Sequence, residues 1–176
     1  MKKVKVATAW LDGCSGCHMS LLDMDAAILS LGRKVDLVYG PLVDAQEFPE
    51  DVDVTLVEGA VSSQDDLSRI QKMRQRTTIL VSLGDCAVSG NVPAMRNNIP
   101  VSKLLQRVYI EGAEDRKLIP SDRVPALLKQ ARPLREFVKV DFCLPGCPPP
   151  AKAILGLITD LLEGRKPERN QPVKFG

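Results

Sequence analysis

The stretch KVKVATAWLDGCSGC, residues 3–17, decides how this chain is read. Val4, Val6, Ala7 and Ala9 give Lys3–Trp10 the character of a buried strand. Directly after it, Asp12-Gly13 leads into Cys14-Ser15-Gly16-Cys17, a close pair of thiols at a strand end. The same strand-then-turn pattern recurs downstream. Leu21, Leu22, Met24, Ala27, Ile28 and Leu31 fall near helical spacing and predict a helix over Ser20–Leu31, with Gly32 as its stop. Further strands are expected at Lys34–Tyr39, Val52–Val57, Thr77–Leu83 and Phe137–Phe142. Ser62–Arg74 reads as a helix whose opening Ser-Ser-Gln-Asp-Asp supplies cap hydroxyls and first-turn carboxylates. Pro150–Glu163 reads as the last helix, stopped by Gly164. Strands alternating with helices imply an α/β fold, a parallel sheet covered on both faces.

The stretch between the fourth and fifth strands, Gly84–Leu134, is too long for a plain loop. Its prolines at 93, 100, 120, 125 and 133 suggest short helices and an irregular surface insertion over Glu111–Asp122. Residues 1–164 read as one domain, and the polar stretch Arg165–Gly176 as a C-terminal tail. No internal repeat is found.

Composition narrows the class. The chain has 176 residues, 44% of them hydrophobic and 26% charged, which is enough for a real core and argues against extended disorder. Lys and Arg number 24 against 22 Asp and Glu, leaving +2. That balance offers no field to hold a phosphate backbone, so nucleic acid is not an expected partner. No apolar run approaches the roughly 18 residues of a membrane span, and the N-terminus is too short in its apolar part for a signal peptide. The expected location is the cytoplasm. Thiols stay reduced there, so the five cysteines are expected to act as ligands or catalysts rather than bridges.

Four of them share one address. Cys14 and Cys17 follow the first strand, Cys86 the fourth within Gly84-Asp85-Cys86-Ala87, and Cys147 the fifth within Pro145-Gly146-Cys147-Pro148-Pro149. Loops at the carboxyl edge of a parallel sheet converge, so thiols 69 residues apart (17 to 86) and 61 apart (86 to 147) can meet. Such a set suits a [4Fe–4S] cluster or a structural zinc. One close pair rather than two leans toward the cluster. Gly13, Gly16 and Gly146 leave room for backbone to approach a bulky group and aim N–H donors at its sulfurs. Two other readings stand beside this one: a thioredoxin-like dithiol of Cys14 and Cys17, and a zinc-stapled binding module. Cys143 reads as a core thiol, since a cubane takes four ligands. His18, the only histidine, reads as a hydrogen-bonded neighbour of the site. Glu58 falls on the same edge, either in a proton path or bonded to nearby backbone. Trp10 and Leu11 are expected to pack at the strand end or against a partner. There is no Gly-x-Gly-x-x-Gly, no Walker A lysine and no hydroxyl-rich flavin loop, so a cluster alone would read as one stage of an electron wire.

The motifs Trp10-Leu11-Asp12-Gly13-Cys14-Ser15-Gly16-Cys17-His18-Met19-Ser20, Val57-Glu58-Gly59-Ala60, Gly84-Asp85-Cys86-Ala87 and Pro145-Gly146-Cys147-Pro148-Pro149 together resemble the small subunit of [NiFe] hydrogenases. The short form in cytoplasmic, NAD-reducing enzymes is the nearest resemblance. It implies a flavodoxin-like, doubly wound sheet and a proximal [4Fe–4S] cluster on Cys14, Cys17, Cys86 and Cys147. It also implies a large subunit carrying the nickel–iron centre against the cysteine edge. Iron–sulfur and flavin diaphorase subunits holding FMN would carry electrons to NAD, for the overall reaction H2 + NAD+ ⇌ NADH + H+. On this resemblance the chain transfers electrons and has no complete active site of its own. No cysteine follows Cys147, which resembles the single-cluster form. The cluster-bearing 20 kDa subunit of respiratory complex I is a sister family. Its first two cysteines are usually adjacent, whereas Ser15-Gly16 separates them here.

Overall fold

In a computed structural model, which describes residues 3–167, five parallel strands form one sheet. They are β1 (Val4–Trp10), β2 (Val35–Tyr39), β3 (Val52–Glu58), β5 (Thr77–Leu83) and β7 (Phe142–Leu144). Their order is β2-β1-β3-β5-β7. In chain order this is 2-1-3-4-5, the flavodoxin-like winding. The chain reverses its direction of travel at β1, so the loops after β1 and β3 part there and leave a crevice at their carboxyl ends.

Each face of the sheet has its own core. Leu56, Val81 and Leu83 turn to one face, where Met24, Ile154, Leu157 and Ile158 cover them from α1 (Gly16–Leu22), α2 (Ala26–Gly32), the link between these two, and α7 (Ala151–Leu162). Val57 and Leu80 turn to the other, against Ile70 and Met73 of α3 (Gln64–Gln75), with Phe48 and Leu134. Side chains this well buried contribute about 1.5–3 kcal/mol each. The central strands β3 and β5 are buried along nearly their whole length because helices cover both faces.

The structure departs from the sequence expectations in four places. The helix expected over Ser20–Leu31 starts four residues earlier, at Gly16, and breaks at Asp23–Asp25 into α1 and α2. The break places Met24 in the core, and Asp25 takes a positive φ of 48° there. Ser62 is not helical: Val61–Ser63 forms a short strand, β4, and Ser63 caps α3. Its hydroxyl accepts the Asp66 N–H while the Asp66 carboxylate accepts the Ser63 N–H, a reciprocal capping box. The fifth strand of the main sheet lies at Phe142–Leu144 rather than Phe137–Phe142. Phe137, Val138 and Val140 instead pack onto the α3-side core, after a 3-10 turn at Leu134–Glu136.

The long stretch after β5 does hold short helices: α4 (Gly84–Ser89), α5 (Asn91–Ala94) and α6 (Val101–Gln106), the last running into a π turn over Arg107–Glu111. No helix or strand follows until Leu127, consistent with the expected irregular insertion. The stretch then contributes an unexpected strand, β6 (Leu127–Arg132), antiparallel to β4. Arg96 holds this small sheet together, donating to the carbonyls of Ser62 (3.0 Å) and Leu128 (3.1 Å). The expected tail lies outside the described residues from Glu168 on.

Candidate functional site

The carboxyl edge of the sheet carries a cleft of about 80 Å³ lined by Cys14, Cys17, Cys86 and Cys147, with Glu58 and Asp85 beside them. The four sequence-predicted thiols thus meet, from three loops far apart in the chain. Their placements differ. Cys14 and Cys147 are exposed at the rim, whereas Cys17 and Cys86 are half-buried. Cys17 sits in the first turn of α1 because that helix starts at Gly16, and Cys86 sits in the first turn of α4. Cys143 lies on β7, half-buried, and does not line the cleft. Burial raises its thiol pKa.

Two glycines make the approach possible. Gly84 has φ +81°, and a Cβ there would stand 2.2 Å from the Cys17 sulfur. Only glycine lets the β5–α4 turn pass so close to a thiol while holding a left-handed backbone. Gly59, φ +89°, lets the turn after β3 lie against the cysteine loop, where a Cβ would stand 2.7 Å from the Leu11 carbonyl carbon. Asp12 and Ala60 then bridge in both directions, at 3.1 and 2.7 Å.

Three polar contacts fasten the loops to one another. The Asp85 N–H donates to the Gly146 carbonyl (2.9 Å), and the Gly146 N–H donates back to Asp85 Oδ1 (2.8 Å). The Ser20 hydroxyl donates to the Pro149 carbonyl at 2.6 Å. Buried Glu58 accepts the His18 N–H at 2.9 Å and lies near enough to the Cys17 thiol to raise its pKa. His18 Nδ1 stands 3.2 Å from Glu58 Oε2, close but poorly aligned for a hydrogen bond. The other ring nitrogen and Glu58 Oε1 are also buried without partners. Of the two sequence readings of Glu58, bonding to nearby backbone is present, and a spare buried oxygen remains beside the cleft.

The thiols feel each other electrically. Burial, then Glu58, then Cys86 and Cys14 push the Cys17 thiol far above its ordinary pKa. Burial, then Cys147 and Cys14 raise Cys86, while the Val92 N–H and the Asn91 amide pull it partly back. Among the described residues, no three His, Cys, Asp or Glu side chains stand close enough to share one metal ion. The sulfurs frame a cleft instead, and four thiols around it form a donor set suited to a bulky, positively charged iron–sulfur core.

Sequence reading gave no role to Ser20, Asp85 or Asn91. Asp85 and Ser20 were inside quoted motifs, but nothing in their spacing says which loop they reach. Asn91 follows Gly90, and both take positive φ, 31° and 93°. Its amide Nδ2 points at Cys147 Sγ, 3.4 Å away. Trp10 is 42% exposed at the end of β1, its indole N–H bonded to the Gly13 carbonyl at 3.0 Å, while Leu11 is buried. Among the described residues no helix is long and apolar enough to cross a membrane.

Comparison with known proteins agrees with the fold and the motifs. The family described as NADH ubiquinone oxidoreductase, 20 Kd subunit, matches residues 14–161. A component of the F420-non-reducing hydrogenase vhu of Methanocaldococcus jannaschii is 39% identical over 94% of this chain, which spans only 58% of that protein's length. Subunit delta of the NAD-reducing hydrogenase HoxS of Cupriavidus necator is also 39% identical, over 93% of this chain and 80% of its own. A chain in the crystal structure of an NAD+-reducing [NiFe]-hydrogenase in the H2-reduced state superposes with a TM-score of 0.93 at 38% identity, covering 99% of both chains. The chain therefore belongs to the NADH ubiquinone oxidoreductase 20 kDa subunit family, and within it stands with the hydrogenase subunits.

Proposed function

We propose that this chain is the electron-transfer small subunit of an NAD-reducing [NiFe] hydrogenase, with Cys14, Cys17, Cys86 and Cys147 holding a [4Fe–4S] cluster. The observation that carries the proposal is the meeting of four thiols from three distant loops around one cleft at the carboxyl edge. The whole-chain likeness to an NAD+-reducing hydrogenase chain supports the same reading. Such a cluster supplies one-electron transfer.

The chain's own residues do the rest. Cys17 and Cys86 hold the inner side, half-buried, and Cys14 and Cys147 the rim. Gly84 and Gly59 bring the loops within reach, and Asp85 and Ser20 keep them from separating. Met19, two residues after Cys17, and Val92, near Cys86, are exposed apolar side chains close to this edge, which suits coverage by a large subunit carrying the nickel–iron centre. Electrons from hydrogen would leave through iron–sulfur and flavin diaphorase subunits, giving H2 + NAD+ ⇌ NADH + H+. Glu58 lines the cleft and His18 lies against Glu58, both with unpartnered polar atoms, which supports a place for a proton there.

Cys86→Ser and Cys147→Ser test the ligand set. Each is expected to lose the iron of this chain and its hydrogen-dependent NAD reduction. Normal iron and normal activity in both would overturn the assignment.

A further inference from the structure

Two of the four thiols have a common neighbour that no motif points to. Asn91 Nδ2 donates to Cys147 Sγ at 3.4 Å, and the same amide lies near enough to Cys86 to pull its thiol pKa down. The Val92 N–H pulls the Cys86 thiol pKa down as well. These donors are presented by an unusual backbone. Gly90 ends α4 with φ 93°, and Asn91 opens α5 with φ 31°, a region that asparagine tolerates better than most side chains. The chain therefore turns sharply just where an amide following α4 can reach the sulfur of the β7–α7 loop. No carboxylate or backbone carbonyl competes for that amide among the hydrogen bonds of the described residues.

We infer that Asn91 raises the reduction potential of the cluster by donating an N–H to the ligand sulfur of Cys147. The inference rests on the ligand set proposed above. A thiolate that accepts an N–H bond gives less electron density to the iron, which favours the reduced, more negative form. The amide is neutral at all working pH values, so its effect does not titrate. Asn91 thus acts through the cysteines, as a residue that sets the potential rather than one that touches substrate.

The test is a redox titration, followed by electron paramagnetic resonance, of the protein purified anaerobically with its co-purifying partners. This chain's signal is the one missing from Cys86→Ser. Asn91→Gly keeps the turn and removes the amide. Asn91→Asp keeps the shape and replaces a donor by an anion. With iron content unchanged, both midpoints are expected below that of the unsubstituted protein, Asn91→Asp the lower. Equal midpoints in all three proteins would overturn the inference. So would loss of iron from Asn91→Gly alone, because Asn91 would then be building the loop. Absence of iron from the unsubstituted protein would instead overturn the ligand set itself.

Discussion

The two ends of the parallel sheet are held by different chemistry. At the amino end, polar groups are satisfied. Arg74 donates to Asp141 (2.6 Å), to the carbonyls of Lys139 and Thr78 (3.2 and 3.0 Å), and to that of Thr77. Asp141 in turn accepts the Leu80 N–H and donates its own N–H to the Leu80 carbonyl, both at 2.9 Å, joining the entry of β7 to β5. Arg76 does similar work for β3 through the Phe48 carbonyl and Glu50. At the carboxyl end, the backbone is left-handed at Gly59 and Gly84, four thiols crowd one cleft, and buried atoms of Glu58 and His18 lack partners. A fold under selection for stability alone would not collect glycine-dependent turns, crowded thiols and unsatisfied polar atoms at one edge. Their concentration there marks the edge that works, while the opposite edge keeps the strands in register.

The largest expected effect comes from Gly84→Ala. The new methyl would fall on the Cys17 sulfur, and the left-handed backbone alone costs about 1–2 kcal/mol. The variant is expected to lose most of its iron and to melt earlier. Full iron content would show that the cysteine edge is looser than described.

Asp141→Ala strikes the other end. It is expected to lower the unfolding free energy by about 2 kcal/mol, read as a lower urea midpoint, with iron content unchanged. Burial would raise the Asp141 pKa, but the Leu80 N–H and Arg74 outweigh it and hold the carboxyl below its ordinary value. A depressed folded pKa stabilises the protein above the unfolded value, and that contribution fades as pH falls through the folded value. The gap between Asp141→Ala and the unsubstituted protein should therefore close in strong acid. A gap that stays constant would remove the ion pair from the account.

Asp85→Ala affects stability less. Losing the bond from the Gly146 N–H costs about 1 kcal/mol, and the freed Cys147 loop is expected to give up iron faster to a chelator. An unchanged rate would mean that Asp85 does not fasten the loops. Glu58→Gln should change structure least, since the amide can still accept the His18 N–H. Iron should stay, while hydrogen turnover slows several-fold if the spare oxygen carries protons. Unchanged turnover would leave Glu58 with only its backbone role.

The contrast between the ends also explains what was legible in the sequence. Strand, glycine and cysteine recur together at the carboxyl edge, so the common address of Cys14, Cys17, Cys86 and Cys147 could be read directly, as could a parallel sheet covered on both faces; the doubly wound order came with the family resemblance. The elements that escaped are those decided by distant partners. Leu127–Arg132, LLKQAR, has neither β-branched residues nor strict alternation, and it becomes β6 because β4 and Arg96 hold it there. Phe137–Val140 has strand-like composition but packs onto the α3-side core, which shifts β7 to Phe142. The break at Asp23–Asp25 follows from the burial of Met24, which helical spacing alone does not reveal. Asn91 carries no motif, and only the turn at Gly90 brings its amide to the Cys147 sulfur.

The central claim is that the cleft at the carboxyl edge holds an iron–sulfur cluster on four thiols. Metal and acid-labile sulfide analysis of the anaerobically purified protein tests it most directly. The account predicts about four irons and about four sulfides assigned to this chain, with nickel in a larger partner. Zinc in their place, or no metal in a folded, correctly assembled protein, would contradict it.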